Sequence, residues 1–139
     1  MRHLLRKLVL AVVFSLLNFS LFAPAMTSLA IIGHKPVEPF RMLINAIGMV
    51  ETGFDTLAYN PLEEATGFFQ IRPIRLEDYN ARTGSNHSME EMYNYFIAEK
   101  IFLYYASKIG PYDFETISRN WNGSGPMTIE YWNKVRANL

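Results

Sequence analysis

Apolar residues recur at intervals of three and four in the segment that follows Phe40. This spacing puts them on one face of an α-helix, because such a helix completes a turn in about 3.6 residues. The pattern predicts a first core helix from Val37 or Glu38 to Glu51, ended by Gly53. The recurring apolar residues are Met42, Leu43, Ala46, Ile47 and Val50.

Two middle segments also carry helical patterns with start signals. Pro73 stands at a predicted N1 position and indicates a short helix from Ile71 to Asn80. Ser88 and Glu91 have the spacing of a capping box and predict the longest helix, which extends to about Ile109. Periodicity therefore predicts a mostly helical chain.

The C-terminal part adds further helices to this pattern. Asp113 is the predicted cap of a short helix through Ile117 to Asn120. Thr128 is the predicted cap of a last helix from Ile129 to Ala137. Glu99 falls on the apolar side of the longest helix, where we expect it to pair with a nearby base.

The N-terminus has the pattern of an export signal. Three basic residues precede an apolar stretch from Leu8 to Phe22, and two small-x-small sites, ending at Ala25 and Ala30, follow it. We interpret residues 1–30 as a signal peptide and residues 31–139 as one exported domain, periplasmic or extracellular. An uncleaved membrane anchor is the alternative, although the run is shorter than the roughly 20 residues that a spanning helix needs.

Charge and cysteine content exclude several classes of function. The chain holds 13 basic and 13 acidic residues. Residues 1–30 contain three of the basic ones and no acidic one, so 10 basic and 13 acidic residues remain and the domain carries about −3. This charge argues against a nucleic-acid partner, because phosphate binding depends on clustered Lys and Arg. The absence of cysteine excludes disulfides and thiol catalysis.

Glu51 is the candidate catalytic acid. It lies at the end of the first predicted helix, next to the apolar face. A carboxyl group held against apolar surface has a raised pKa, because burial disfavours the charged form, and it can then donate a proton near neutral pH. A solvated residue in a last helical turn is the alternative interpretation.

Three short motifs accompany this acid in a fixed order. They are Glu51-Thr52-Gly53-Phe54, Gly67-Phe68-Phe69-Gln70-Ile71 and Trp121-Asn122-Gly123. The last two combine aromatic rings with amides, which suit the flat apolar faces and hydroxyl groups of carbohydrates. Together the motifs resemble those of the lysozyme-like superfamily, in particular the lytic transglycosylases that cleave bacterial peptidoglycan. The resemblance covers about Phe40 to the C-terminus.

The resemblance implies a fold, a reaction and a site. The fold is a mostly α, lysozyme-like α+β single domain of five or six helices, with a minimal strand element beside the loop from Gly53 to Ile71. The reaction cuts the MurNAc-β-1,4-GlcNAc bond and leaves a 1,6-anhydro-MurNAc end, with Glu51 as general acid and then base. The groove residues are Asn60, Phe69, Gln70, Trp121 and Asn122.

Two positions depart from the pattern of the family. Members often have a Ser where this chain has Asn60, and a Tyr that orients the acid where this chain has Trp121. An indole can donate a hydrogen bond and stack on a sugar, so a groove role for Trp121 stands beside its interpretation as a core anchor. Peptidoglycan strands are the implied partner, and no metal or organic cofactor is indicated.

Other functions remain open at this stage. A hydrolytic lysozyme would need a second carboxylate, for which Asp55, Glu63 and Glu64 are candidates. A non-catalytic glycan-binding or assembly scaffold would also fit the two replaced positions. The sequence does not separate wall turnover from service to a secretion or conjugation machine.

Overall fold

The computed structural model describes residues 38–139, which form one compact unit. The export signal predicted over residues 1–30 lies outside the described residues. Within residues 38–139 the chain is mostly helical, with five α-helices and one small sheet, which confirms the predicted mostly α class with a minimal strand element. None of these helices has the length and apolar character needed to cross a membrane.

The small sheet lies in the loop that connects the first two helices. Helix α1 spans Arg41–Thr52 after a 3-10 turn at Glu38–Phe40. Strands β1 (Tyr59–Asn60) and β2 (Ala65–Thr66) follow and pair antiparallel, with Tyr59 opposite Thr66. Helix α2 spans Pro73–Thr83 and has the predicted Pro near its first turn. The strand element therefore lies where the sequence predicts it.

Three helices complete the chain. Helix α3 spans Tyr95–Ile109, helix α4 spans Phe114–Asn122 and helix α5 spans Met127–Arg136. Asp113 caps α4 as predicted, because its Oδ1 accepts a hydrogen bond from the Thr116 N–H at 3.0 Å. The predicted end of α4 at Asn120 is too early, since the helix includes Trp121 and Asn122.

The predicted start of α3 at Ser88 is wrong. The Glu91 carboxylate does accept a hydrogen bond from the Ser88 N–H at 2.8 Å, but this contact accompanies a 3-10 turn at Glu90–Tyr93. The α-helix starts after Asn94, whose Oδ1 accepts from the Phe96 N–H at 3.0 Å. A second cap six residues after Ser88 therefore sets the helix start.

Thr128 does not cap α5. The helix begins one residue earlier, and the Thr128 hydroxyl donates to the Gly125 carbonyl at 2.7 Å. The same hydroxyl accepts a hydrogen bond from Arg119 at 3.2 Å. Thr128 is buried and joins the turn before α5 to α4.

Aromatic side chains fill the centre of the domain. Phe69 and Phe102 are fully buried and stack at 5.0 Å between ring centroids, with their planes 12° apart. Glu99 is also buried, but its partner is the Tyr95 hydroxyl at 2.9 Å and not the base that the sequence led us to expect. The core thus contains residues of all five helices and of the loop that follows β2.

Candidate active site

Glu51 lies in the last turn of α1, where the helix ends in a left-handed residue. Gly53 has φ 59°, and its N–H donates to the Met49 carbonyl while the Phe54 N–H donates to the Gly48 carbonyl. This arrangement satisfies carbonyl groups that a helix end otherwise leaves without partners. The turn therefore fixes the backbone that carries the half-buried Glu51.

Tyr131 is the hydrogen-bond partner of this acid. Its hydroxyl donates to Glu51 Oε1 at 2.6 Å. Tyr131 is a buried residue of α5 and stands 80 residues from Glu51 in the sequence. Packing of α5 against α1 therefore brings a phenol to the acid.

The surroundings of Glu51 raise its pKa to about 7. Burial is the main cause, and the negative charge of Glu63 acts in the same direction. The hydrogen bond from Tyr131 and the positive charge of Arg72 oppose the rise. Burial, the negative charge of Glu51 and the hydrogen bond to its carboxylate raise the pKa of Tyr131, so the phenol keeps its proton and remains a donor. Glu51 can therefore exchange a proton near neutral pH.

A cavity of about 620 Å³ opens beside Tyr131, and Glu51 itself is not one of its lining residues. Tyr131 is part of its wall, so the cavity reaches the partner of Glu51 directly. The volume falls in the range of roughly 300–1,000 Å³ that is common for ligand sites. The lining residues are Glu63, Arg72, Ile74, Asn122, Gly123, Ser124, Met127, Glu130, Tyr131 and Lys134.

Asn122 is the one predicted groove residue that lines this cavity. Its carbonyl accepts a hydrogen bond from Arg72 Nη2 at 3.1 Å, which fixes the end of α4 against the start of α2. Its side chain is half-buried at the cavity wall, where an amide can donate and accept hydrogen bonds.

Phe69 and Trp121, for which the resemblance implies groove roles, both belong to the core. Phe69 has no exposed surface, and Trp121 is 5% exposed. The indole N–H of Trp121 donates to the Phe69 carbonyl at 3.1 Å, and the Arg75 guanidinium lies 4.6 Å from its ring centroid. The interpretation of Trp121 as a core anchor is therefore the one that the contacts support.

Gln70 and Asn60 fix the backbone of the loop between α1 and α2. The Gln70 amide donates to the carbonyls of Gly67 and Ala58 at 3.0 and 3.5 Å. The Asn60 Oδ1 accepts from the Leu62 N–H at 3.0 Å. Both side chains are half-buried and neither lines the 620 Å³ cavity. The structure thus does not bring them to the same wall as Asn122.

Of the three acids proposed as a second carboxylate, Glu63 lines the cavity. It lies 4.0 Å from Arg72 Nη1, and its charge raises the pKa of Glu51. Asp55 is exposed and accepts a hydrogen bond from the Leu57 N–H at 2.8 Å, within its own turn. Glu64 is exposed and lies outside the cavity wall.

Sequence reasoning missed the roles of Tyr131 and Arg72. The sequence patterns gave neither residue a place at the acid. The available signal was chemical, because a phenol on a buried helix face has to find a hydrogen-bond partner. No spacing rule connects residues so far apart in the chain, so the sequence could not identify that partner.

Comparison with protein-family models, with curated proteins and with solved structures returned no match. In residues 38–139 no three His, Cys, Asp or Glu side chains cluster as metal ligands would. The acid, the phenol and the cavity are therefore the features that define this site.

Proposed function

We propose that this chain is an exported lytic transglycosylase that cleaves peptidoglycan, with Glu51 as its acid and base. The observation that carries the proposal is a carboxyl group with a pKa of about 7, hydrogen-bonded by Tyr131 at the wall of a 620 Å³ cavity. The order of the three sequence motifs supplies the substrate class.

In the first step, protonated Glu51 gives its proton to the oxygen that bridges MurNAc C1 to the next sugar. The C1–O bond breaks, the departing sugar leaves as an alcohol, and positive charge develops at C1. In the second step, the Glu51 carboxylate takes the proton of the C6 hydroxyl as that oxygen bonds to C1. No water enters, and the acid returns to its starting form.

The pKa of Glu51 suits both steps. A pKa of about 7 means that about half the molecules hold the proton at pH 7, and the carboxylate left behind is still a competent base. Tyr131 stabilises that carboxylate through its hydrogen bond. Asn122 and Arg72 lie on the same cavity wall, where they can bind polar groups of the glycan.

A hydrolase that uses Glu63 is the second candidate. The observation that favours it is the position of Glu63 in the cavity wall, close enough to Glu51 for their charges to interact. In that mechanism Glu63 would activate a water molecule or stabilise the charge at C1. The two candidates differ in the sugar end that they leave.

The test is mass spectrometry of the soluble fragments released from peptidoglycan sacculi by the purified protein. We expect muropeptides lighter by one water than lysozyme products, and no fragments from Glu51→Gln. The variant Glu63→Gln is the matched control, because it removes the carboxylate whose charge acts on Glu51, and it should still release anhydro products. A Glu51→Gln protein that digests sacculi at the wild-type rate would refute the proposal.

Two other outcomes assign the site differently. Fragments with ordinary reducing ends, lost in Glu63→Gln, would establish the hydrolase. Intact strands that bind to both the wild type and Glu51→Gln without release of fragments would establish a glycan-binding scaffold.

A further inference from the structure

Two smaller cavities continue the 620 Å³ cavity along α2. The first, of about 180 Å³, shares Arg72 and Ile74 with the large cavity. The second, of about 190 Å³, shares Arg75 and Tyr105 with the first. We call these two smaller cavities the α2 furrow. They neighbour the cavity that Tyr131 lines, so a substrate bound there has room to extend along α2.

Arg72 and Arg75 place two positive charges in the 180 Å³ cavity. Both guanidinium groups are partly held by the end of α4, since Nη2 of Arg72 donates to the Asn122 carbonyl and Nη2 of Arg75 to the carbonyls of Asn120 and Trp121. Among residues 38–139, neither Nε nor Nη1 of Arg75 has a hydrogen-bond acceptor. Fixed guanidinium groups with donors to spare are suited to bind a carboxylate.

Asp78 lines the same cavity but pairs with neither arginine, and the acid closest to Arg72 is Glu63, 4.0 Å from its Nη1. Both Asp78 oxygens accept hydrogen bonds from Arg82 Nε, at 2.7 and 2.8 Å, and Oδ2 also accepts one from the Tyr105 hydroxyl. Arg75 has no ion pair within the described part of the chain. Burial is the main cause that lowers the pKa of Arg75, and the charge of Arg72 lowers it as well, while Tyr105 and Asp78 act in the opposite direction. An anion in this cavity would relieve that repulsion.

We infer that Arg72 and Arg75 form a subsite for a carboxylate of the substrate, placed in the α2 furrow next to the cavity at Glu51. The inference rests on the proposed function, because it assigns part of a peptidoglycan strand to each region. The glycan lies at the acid, and an acidic group attached to MurNAc lies between the arginines. That group is a carboxylate of the peptide stem, or the lactyl carboxylate where the stem has been removed.

Binding to a Glu51→Gln chain tests this without turnover. The probe is a disaccharide muropeptide, used with its peptide carboxyls free or converted to neutral amides. We expect the free form to bind roughly tenfold more tightly, the factor that one charged hydrogen bond supplies. Adding Arg75→Gln should weaken binding of the free form by a similar factor and leave the amide form unchanged.

Three further variants and probes control this experiment. Arg75→Lys keeps the charge and should retain part of the preference, whereas Lys100→Gln removes an exposed charge of α3 and should leave it intact. The Nε–Hε NMR signal of Arg75 should shift when the free form binds and stay unchanged when the amide form is added. This readout needs no substitution of Arg75. A peptide-free disaccharide that is sensitive to Arg75→Gln would identify the lactyl carboxylate as the group bound.

Equal affinity for the free and amide forms, with no shift of the Arg75 signal, would overturn the subsite. That result would leave cleavage at Glu51 unaffected. The opposite result is also possible. If sacculi release no fragments while the protein still binds the free form more tightly than the amide form, the enzyme proposal is refuted and the subsite stands.

Discussion

The Tyr131 hydroxyl and the Glu51 carboxyl meet at 2.6 Å, and this contact sets the chemistry available to the site. The hydrogen bond stabilises the charged form of Glu51, while burial stabilises the neutral form. The pKa of about 7 is the balance of these opposing effects. Removing the phenol should therefore move the pKa in a known direction.

We predict that Tyr131→Phe raises the pKa of Glu51 above about 7, because the carboxylate loses its donor while the site remains buried. Carboxyl-carbon NMR of Glu51 measures the shift without relying on activity. If the enzyme proposal holds, the alkaline limb of the kcat/KM profile moves to higher pH, since more molecules keep the catalytic proton there.

Tyr95→Phe is the matched control for this variant. It also removes a phenol that donates to a glutamate, Glu99, at 2.9 Å, but in another part of the core. The Glu51 titration should not respond to it. A titration midpoint that is unchanged in Tyr131→Phe, or that falls, would contradict the assigned hydrogen bond.

At this scale the sequence predicted an acid on an apolar helix face, and the raised pKa of Glu51 agrees with it. The resemblance also implied groove roles for Phe69 and Trp121, and both lie in the core. An aromatic residue next to an amide has the same local pattern in a groove and in a core. Only long-range packing decides between a groove and a core, and here the Trp121 N–H donates a hydrogen bond to the Phe69 carbonyl inside the core.

At the scale of elements, the loop between β2 and α2 packs tightly on the 3-10 turn at Glu90–Tyr93. Gly67 has φ 75°, and a Cβ at this position would overlap the Met92 carbonyl oxygen. The atom that this Cβ would meet belongs to the backbone of Met92, so no side chain could rotate to make room for it. This contact holds the loop that precedes Arg72 and the cavity.

We predict that Gly67→Ala lowers the free energy of unfolding by about 3 kcal/mol or more, because overpacking adds to left-handed strain. Gly84→Ala is the matched control, since Gly84 has φ 70° but a Cβ there would have no neighbour within 4 Å. It should cost about 1 kcal/mol, the left-handed strain alone. Urea unfolding of both variants measures the difference, and equal losses would contradict the backbone clash.

The sequence predicted most element boundaries closely, because caps and breakers act within a few residues. Pro73, Asp113 and the Gly53 helix end all have the predicted positions. The start of α3 failed because two capping signals stand close together and the later one, at Asn94, begins the α-helix. Local rules do not rank such competing caps.

At the scale of the whole molecule, Glu51 makes folding stability depend on pH. Its pKa is about 7 in the folded chain and has an ordinary value of 4.5. Between these values the folded state keeps a proton that the unfolded state has lost. The folding stability that this retained proton contributes is therefore fully present below pH 4.5 and is lost as pH rises through 7.

We predict that Glu51→Gln is more stable than the wild type at pH 8, by up to about 3 kcal/mol, because the variant buries no charge. The difference should shrink as pH falls and vanish near pH 4.5. Urea unfolding across this range measures it. Glu77→Gln, at an exposed position of α2, is the control and should show no such trend. A pH-independent difference for Glu51→Gln would contradict the raised pKa.

The contact between Glu51 and Tyr131 also has a consequence for the order of events during synthesis. Helix α1 leaves the ribosome long before α5, so the acid exists for a time without its phenol and without the burial that α5 provides. During that interval Glu51 is an ordinary glutamate, charged at neutral pH and unable to donate a proton. In a newly made chain the pKa of Glu51 therefore reaches about 7 only after α5 has packed against α1.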